Sequence, residues 1–296
     1  MHLKPDSQII VQGIMEPLAS VYTAQMKAYG TNIVAGVSPG DGGQLVDDIP
    51  VFDLVEQALS AVGQVDATII FVPPYYAIDS ALEAIASGIK QIIIATGSIP
   101  PLDMVSLLRK VETTDTLIIG PNTSGVIIPE KILLGTYNSE FFTSGSVALI
   151  SNSDTLNYEV AWELTQAGIG QSIVVNLGSD TIIGSDFQQW LEILDKDQHT
   201  KVIVLISHSN YPDEPALAEF IANNIEKPVI TYLVGIHSPA NKHLRNFKFM
   251  NNYYLSTSLN DETTIYEKIT AFKHAKISLP KRPSQIPDLV KKALKK

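Results

Sequence analysis

The sequence predicts two α/β domains, each built around a doubly wound parallel sheet. Short runs of β-branched residues alternate along the chain with longer segments of helical pattern. The runs are continuously apolar, which is typical of strands buried on both faces of a parallel sheet. A length of 296 residues, at about 150 residues per domain, also favours two domains.

The first series of elements predicts a domain over residues 1–125. Its strands are expected at residues 9–11, 32–37, 67–72, 91–94 and 116–119. Its helices are expected at residues 20–29, 51–61, 79–86 and 101–110. Strand and helix alternate throughout, as in an open α/β sheet.

The second series predicts a domain over residues 146–296, after a connection at 126–145 that contains Gly, Pro and Ser. Its strands are expected at residues 147–150, 172–175, 202–206 and 228–232. Its helices are expected at residues 156–167, 186–195, 215–224, 262–274 and 288–295.

Composition excludes several function classes. The net charge is -10, which disfavours binding to nucleic acid. The absence of cysteine excludes disulfides, thiolate metal sites and a cysteine nucleophile, and we expect no metal site. No apolar run reaches the length of a membrane helix, and no signal or transit peptide is seen. We expect a cytoplasmic protein, or one of the mitochondrial matrix in a eukaryote.

Five stretches of the sequence occur in the same order and spacing as in a known family. They are residues 25–43, 72–74, 120–122, 151–159 and 184–187. Together they resemble the α-subunit of succinyl-CoA synthetase and related acid–CoA ligases. The resemblance implies a CoA-binding Rossmann-like domain followed by a flavodoxin-like domain. It also implies a histidine that is phosphorylated from a nucleotide on an ATP-grasp β-subunit, with transfer to a carboxylic acid and displacement by CoA.

The residues at the family's catalytic positions do not suit this chemistry. Asn246 occupies the position of the phosphorylated histidine, and an amide nitrogen is not nucleophilic. His243, three residues earlier, is a weak replacement because a loop shift of that size moves the side chain by several ångströms. His208 occupies the position of the carboxylate that orients the histidine in the family. It is a candidate nucleophile or ligand, or an ordinary loop histidine.

The CoA positions have changed as well. By position, they are Met15, Glu16, Pro17, Leu18, Asp41, Ala95, Thr96 and Gly97. Pro17 removes a backbone N–H donor, while Glu16 and Asp41 add negative charge where phosphates would lie. CoA is therefore an expected but doubtful cofactor, and no other cofactor is expected.

The second half of the chain contains the residues expected to bind a small carboxylic acid and to contact a partner subunit. By position, Tyr158 could line a small-acid pocket or pack on its helix. We expect an ATP-grasp β-like partner or a homo-oligomer. The aromatic residues Tyr158, Trp162, Phe187 and Trp190 are expected close to the contact face.

The expected function is that of a catalytically degenerate relative, either a structural or regulatory subunit or a binding module with an altered ligand. The alternative is an active acid–CoA ligase α-subunit. A nicotinamide oxidoreductase is disfavoured because no G-x-G-x-x-G follows the first strand. A serine hydrolase is disfavoured because no G-x-S-x-G is present.

Overall fold

The computed structural model describes residues 3–208, 214–235 and 265–295, and it contains two sheets. The first sheet comprises β1 (Ile9–Gln12), β2 (Ile33–Val37), β3 (Leu45–Val46), β4 (Ile49–Phe52), β5 (Ala67–Ile70), β6 (Gln91–Ile94) and β7 (Leu117–Ile119). Its helices are α1 (Pro17–Tyr29), α2 (Val55–Val62), α3 (Ala77–Ala86) and α4 (Pro101–Val111).

The first sheet has the strand order β3-β4-β2-β1-β5-β6-β7. All pairs are parallel except β3 with β4. The chain winds outward from β1 in one direction and then from β5 in the other. The order therefore reverses between β1 and β5, which confirms the doubly wound prediction.

The second sheet follows in sequence. It comprises β8 (Gly125–Ile128), β9 (Ile132–Gly135), β10 (Ser144–Ser151), β11 (Gln171–Asn176), β12 (Val202–His208) and β13 (Val229–Val234). The described helices are α5 (Asp154–Gln166), α6 (Phe187–Lys196), α7 (Glu214–Asn224), α8 (Ile265–His274) and α9 (Ile286–Ala293). The order is β13-β12-β10-β11-β8-β9, and its parallel part reverses between β10 and β12.

The central strands are buried on both faces, as their continuous apolar runs predict. Residues 9–11 of β1, 147–150 of β10 and 202–206 of β12 are all inaccessible to solvent. One hydrophobic cluster includes residues of both sheets, among them Ile9 and Leu133. Thr31, after α1, also donates a hydrogen bond through Oγ1 to the carbonyl of Leu133 at 2.7 Å. The β8–β9 hairpin is thus packed against the first half of the chain.

Two predicted segments differ from the structure. Residues 126–145, expected as a connection, contain most of β8, all of β9 and the start of β10. The helix expected from residue 51 begins at Val55, because Ile49–Phe52 forms β4. The division into domains at 1–125 and 146–296 stays a prediction.

Candidate functional site

The strand orders indicate where a ligand would bind. In open α/β sheets ligands bind at the carboxyl ends of the strands, where the strand order reverses. In the first sheet this point lies between the loops after β1 and β5, at residues 13–16 and 71–76. In the second sheet the strand order reverses between β10 and β12.

The loop after β1 is a tight turn that leads into α1. Gly13 has φ 78° and donates its N–H to the carbonyl of Val37 at 2.7 Å. A Cβ on Gly13 would lie 2.8 Å from the backbone nitrogen of Val72, so the loops after β1 and β5 are in close contact. Glu16 is the N-cap residue of α1, and its side chain makes no capping hydrogen bond. Pro17 follows it and has no N–H to offer a phosphate.

The glycine-rich loop after β2 is held by two carboxylates of the chain itself. Asp53 Oδ1 accepts the N–H of Gly40 at 2.7 Å and that of Gly42 at 3.0 Å. Asp41 Oδ2 accepts the hydroxyl of Ser38 at 2.7 Å, and its Oδ1 accepts the amide of Gln44 at 3.0 Å. Backbone donors that could face a phosphate are therefore bonded to an internal acid.

The predicted positions after β6 lie where the two halves of the chain meet. Thr96 Oγ1 donates to the carbonyl of Val72 at 2.6 Å, and the Thr96 carbonyl accepts the N–H of Asn122 at 2.9 Å. A Cβ on Gly97 would lie 2.6 Å from the Asn122 side chain. Asp180 accepts the N–H of Ser98 at 2.7 Å. Ala95, before Thr96, is partly buried and packs against the larger core cluster.

A further carboxylate lies at the start of α5, after β10. Asp154 Oδ1 accepts the hydroxyl of Ser124 at 2.8 Å and the side-chain amide of Asn176 at 2.7 Å. A negative charge thus lies at a helix N-terminus, where backbone N–H groups attract anions.

Tyr158 packs among aromatic rings. Its ring centroid lies 5.2 Å from that of Phe141 and 5.8 Å from that of Tyr137. Its hydroxyl oxygen accepts the N–H of Asn138 at 3.2 Å. Burial raises the pKa of Tyr158, so the hydroxyl stays protonated at neutral pH. A role for Tyr158 in a small-acid pocket stays a prediction.

The prediction of an aromatic contact face is wrong for two of its four residues. Phe187 and Trp190, both on α6, are completely buried. Trp190 Nε1 donates to Ser185 Oγ at 2.9 Å, which satisfies the indole inside the core. The reason is the position of α6, which turns both rings toward the core. Trp162 on α5 is 45% exposed and can still contact another molecule.

The predicted nucleophile positions fall outside the described residues. Asn246 and His243 are not described, and the backbone of His208 ends β12 whereas its side chain lies outside the description. Among the described residues, no three acidic or histidine side chains come together as metal ligands. None of the described helices is both long and apolar enough to cross a membrane.

Sequence reasoning missed the part played by Asp53. The residue comes directly after β4, and β4 and β2 run parallel, so both end at the same edge. The sequence signal that could have identified Asp53 was a glycine-rich loop at residues 40–43 followed by an acid after β4, the strand beside β2 in the sheet. The prediction failed because β4 itself was interpreted as the start of a helix.

Comparisons with known proteins agree with this architecture. Residues 4–97 match the family described as "CoA binding domain", and residues 144–247 match "Succinyl-CoA ligase like flavodoxin domain". The first half is thus Rossmann-like and the second flavodoxin-like, as predicted.

Solved structures that are about 20% identical in sequence share the fold. An ATP citrate lyase from Methanothrix soehngenii is 18% identical with a TM-score of 0.82 over 99% of this chain, which spans 51% of that chain. A dinucleotide-forming acetyl-coenzyme A synthetase from Ca. Korarchaeum cryptofilum is 20% identical with a TM-score of 0.71. It is matched over 94% of this chain and 58% of its own.

Curated relatives are similar over nearly the full length. The succinate–CoA ligase [ADP-forming] subunit alpha 2 of Archaeoglobus fulgidus is 36% identical over 97% of both chains. The corresponding alpha subunit of Aquifex aeolicus is 33% identical over 98% of this chain and 93% of its own. The chain therefore belongs to the family of succinate–CoA ligase alpha subunits.

Proposed function

We propose that this alpha-subunit relative has no ligase activity of its own and serves as a structural or regulatory subunit or as a module that binds an altered ligand. The observation that carries the proposal is the charge of the first sheet's carboxyl edge. Within residues 3–125, which the structure describes in full, this edge presents carboxylates and no lysine or arginine.

The five basic residues among residues 3–125 all lie at the opposite edge of the sheet. Two of them precede strands and three lie at the carboxyl ends of helices. They are Lys4, Lys27, Lys90, Arg109 and Lys110. The loops at the carboxyl edge instead contain Glu16, Asp41 and Asp53. CoA carries several phosphate charges, and each carboxylate at about 4 Å would repel a phosphate by about 1 kcal/mol even in water.

Hydrogen bonding supports the same conclusion. Asp53 already accepts the N–H groups of Gly40 and Gly42, and Asp154 already lies at the start of α5. A phosphate that entered either place would meet an internal anion. Asn246 at the position of the nucleophile adds support from the sequence.

Calorimetry with CoA tests the proposal. We expect no measurable heat and no rise of the melting temperature at millimolar CoA, with the Archaeoglobus fulgidus alpha subunit as a positive control. A Kd near 1 μM, equivalent to about -8 kcal/mol, would contradict the proposal because other contacts would then replace the lost ones.

The alternative function is that of an active acid–CoA ligase alpha subunit. Identity of 36% over 97% of both chains favours it. This activity would need His243 or His208 as the nucleophile and an ATP-grasp beta-like partner. Synthesis of an acyl-CoA from ATP, CoA and a carboxylic acid by the reconstituted pair would establish the alternative.

A further inference from the structure

We propose that the carboxyl edge of the first sheet binds the cationic C-terminal segment of a second copy of this chain. The surface comprises five exposed apolar residues, which we call the apolar edge: Met15, Leu18, Tyr75, Tyr76 and Leu102. The inference rests on the proposed function, because an edge that held CoA would not be free for a protein partner.

The residues of the apolar edge form one surface because their loops are joined. They follow β1, β5 and β6, which are neighbouring parallel strands. Gly13 closely approaches Val72, which links the loops after β1 and β5. Thr96 Oγ1 donates to the Val72 carbonyl at 2.6 Å, which links the loops after β5 and β6.

The exposure of these side chains indicates contact with another molecule. Tyr75 is 78% exposed and Leu102 is 79% exposed, although both are large and apolar in character. A group of such residues on one face marks a site of interaction, whereas single exposed apolar residues do not. Tyrosine is also enriched in the buried centres of protein interfaces.

Acidic side chains surround the apolar edge. Glu16 precedes α1, Asp79 lies in the first turn of α3, and Asp103 lies in the first turn of α4. Acids are common in first turns because they complement the helix dipole. The distinguishing fact is that no lysine or arginine of residues 3–125 accompanies them at this edge, so the surface favours a partner that is both cationic and apolar.

The C-terminal segment of the chain has this composition. Residues 265–296 contain nine lysines and arginines against two acidic residues. Within the described part, Lys291, Lys292 and Lys295 are exposed, and Leu294 is exposed among them. The buried residues Ile286 and Val290 fix α9, which packs on α5 and β13 in the second half of the chain. The cationic surface is therefore presented outward on a rigid element.

Such a contact joins two different surfaces, so it is heterologous. Each copy in a chain of molecules would use its acidic edge for one neighbour and its cationic segment for the other. Salt would weaken the contact because surface charges separated by more than a Debye length, about 10 Å at 0.1 M, are screened.

Sedimentation velocity on the full chain tests the inference. At about 50 mM salt we expect the sedimentation coefficient to rise with protein concentration, and at about 500 mM salt we expect at least a tenfold weaker association. A chain that remains monomeric at about 100 μM in low salt overturns the inference. Association with a beta-like partner but not with a second copy of the chain overturns it as well.

Two surface variants make the test specific. The edge variant Leu18→Lys/Asp79→Lys and the segment variant Lys291→Gln/Lys292→Gln/Lys295→Gln each change exposed residues only, and the neutral segment gives the altered edge no new partner. Each alone should associate at least tenfold more weakly, whereas their mixture should form a 1:1 dimer that does not extend, because one intact surface of each kind remains. Failure of the mixture to associate overturns the inference. Because these readouts involve neither CoA nor phosphate, they are independent of the test of the proposed function.

Discussion

Asp53 Oδ1 accepts a hydrogen bond from the N–H of Gly40 at 2.7 Å, so an acid from the end of β4 closes the loop after β2. The same oxygen accepts the N–H of Gly42, and a Cβ on Gly42 would lie 2.5 Å from Asp53 Oδ2. The loop therefore has the glycine content of an anion-binding loop and already contains its anion.

Restoring a cation in this loop should restore some affinity for CoA. We expect Asp41→Lys to bind CoA measurably at millimolar concentration, where the unchanged chain shows no heat, and a gain of at least about tenfold in affinity corresponds to about 1.4 kcal/mol. The reason is that attraction to a phosphate replaces repulsion. Calorimetry at low salt measures the difference.

A matched control separates a local effect from one of net charge. Asp6→Lys makes the same charge change at an exposed residue before β1, at the opposite edge of the sheet. It should leave the affinity unchanged. Equal gains in both variants would mean that net charge alone controls binding and that the edge has no special part.

Gly13 should tolerate substitution poorly. Gly13→Ala puts a Cβ 2.8 Å from the Val72 nitrogen and forces alanine into a left-handed conformation, so we expect a loss of about 3 kcal/mol or more in the free energy of unfolding. Gly88 also has a positive φ, but a Cβ there meets nothing within 4 Å. Gly88→Ala should cost only about 1–2 kcal/mol. Urea denaturation compares the two, and equal costs would show that the β1–β5 contact is loose.

The two tryptophans should differ in the same assay. Trp190→Ala removes a completely buried ring and its bond to Ser185, so we expect a loss of about 3–5 kcal/mol. Trp162 is 45% exposed and touches Phe141 edge-on, so Trp162→Ala should cost about 1 kcal/mol or less. A small effect at Trp190 would contradict its place in the core.

The sequence predicts the long parallel strands well because each has a continuous run of buried aliphatic residues. The sequence does not predict β3, β4 or the β8–β9 hairpin. The strand β3 has two residues, and Pro50 interrupts the pattern of β4. The hairpin is interrupted by Pro129 and by Glu130 with φ 64°, and its burial against α1 depends on tertiary contacts.

The candidate site is predictable to a smaller extent. The family pattern identifies Glu16, Pro17 and Asp41 as unsuited to phosphate, and these positions follow from sequence alone. The bond from Gly40 to Asp53 joins the segments that follow two different strands, so no local pattern shows it. The burial of Trp190 could not be predicted either, because helical spacing does not show which side of α6 faces the sheet.

One carboxylate predicts a pH dependence of stability. Burial raises the pKa of Asp197, but hydrogen bonds from Thr200 and His199 together outweigh it, so the folded pKa lies below the ordinary value of about 3.9. Its ionised form thus stabilises the fold above about pH 4, and this contribution is lost as pH falls through the lowered pKa.

The variant Asp197→Asn tests this contribution. At pH 7 it should lower the free energy of unfolding by about 0.5–1 kcal/mol, since the side chain is 32% exposed and solvent screens it. The difference should vanish below the folded pKa, where aspartate is neutral. Asp115→Asn, at a side chain 92% exposed, is the control. A difference at Asp197 that persists unchanged in acid would contradict the account.

Phosphoryl transfer to the chain tests the central claim most directly. The purified protein is incubated with Mg²⁺, labelled ATP or GTP and a candidate ATP-grasp beta-like subunit, with the Aquifex aeolicus alpha subunit as a positive control. We predict no acid-labile phosphohistidine, because Asn246 stands at the nucleophile position. Stoichiometric labelled phosphate on His243 or His208 would contradict the account and establish the active ligase.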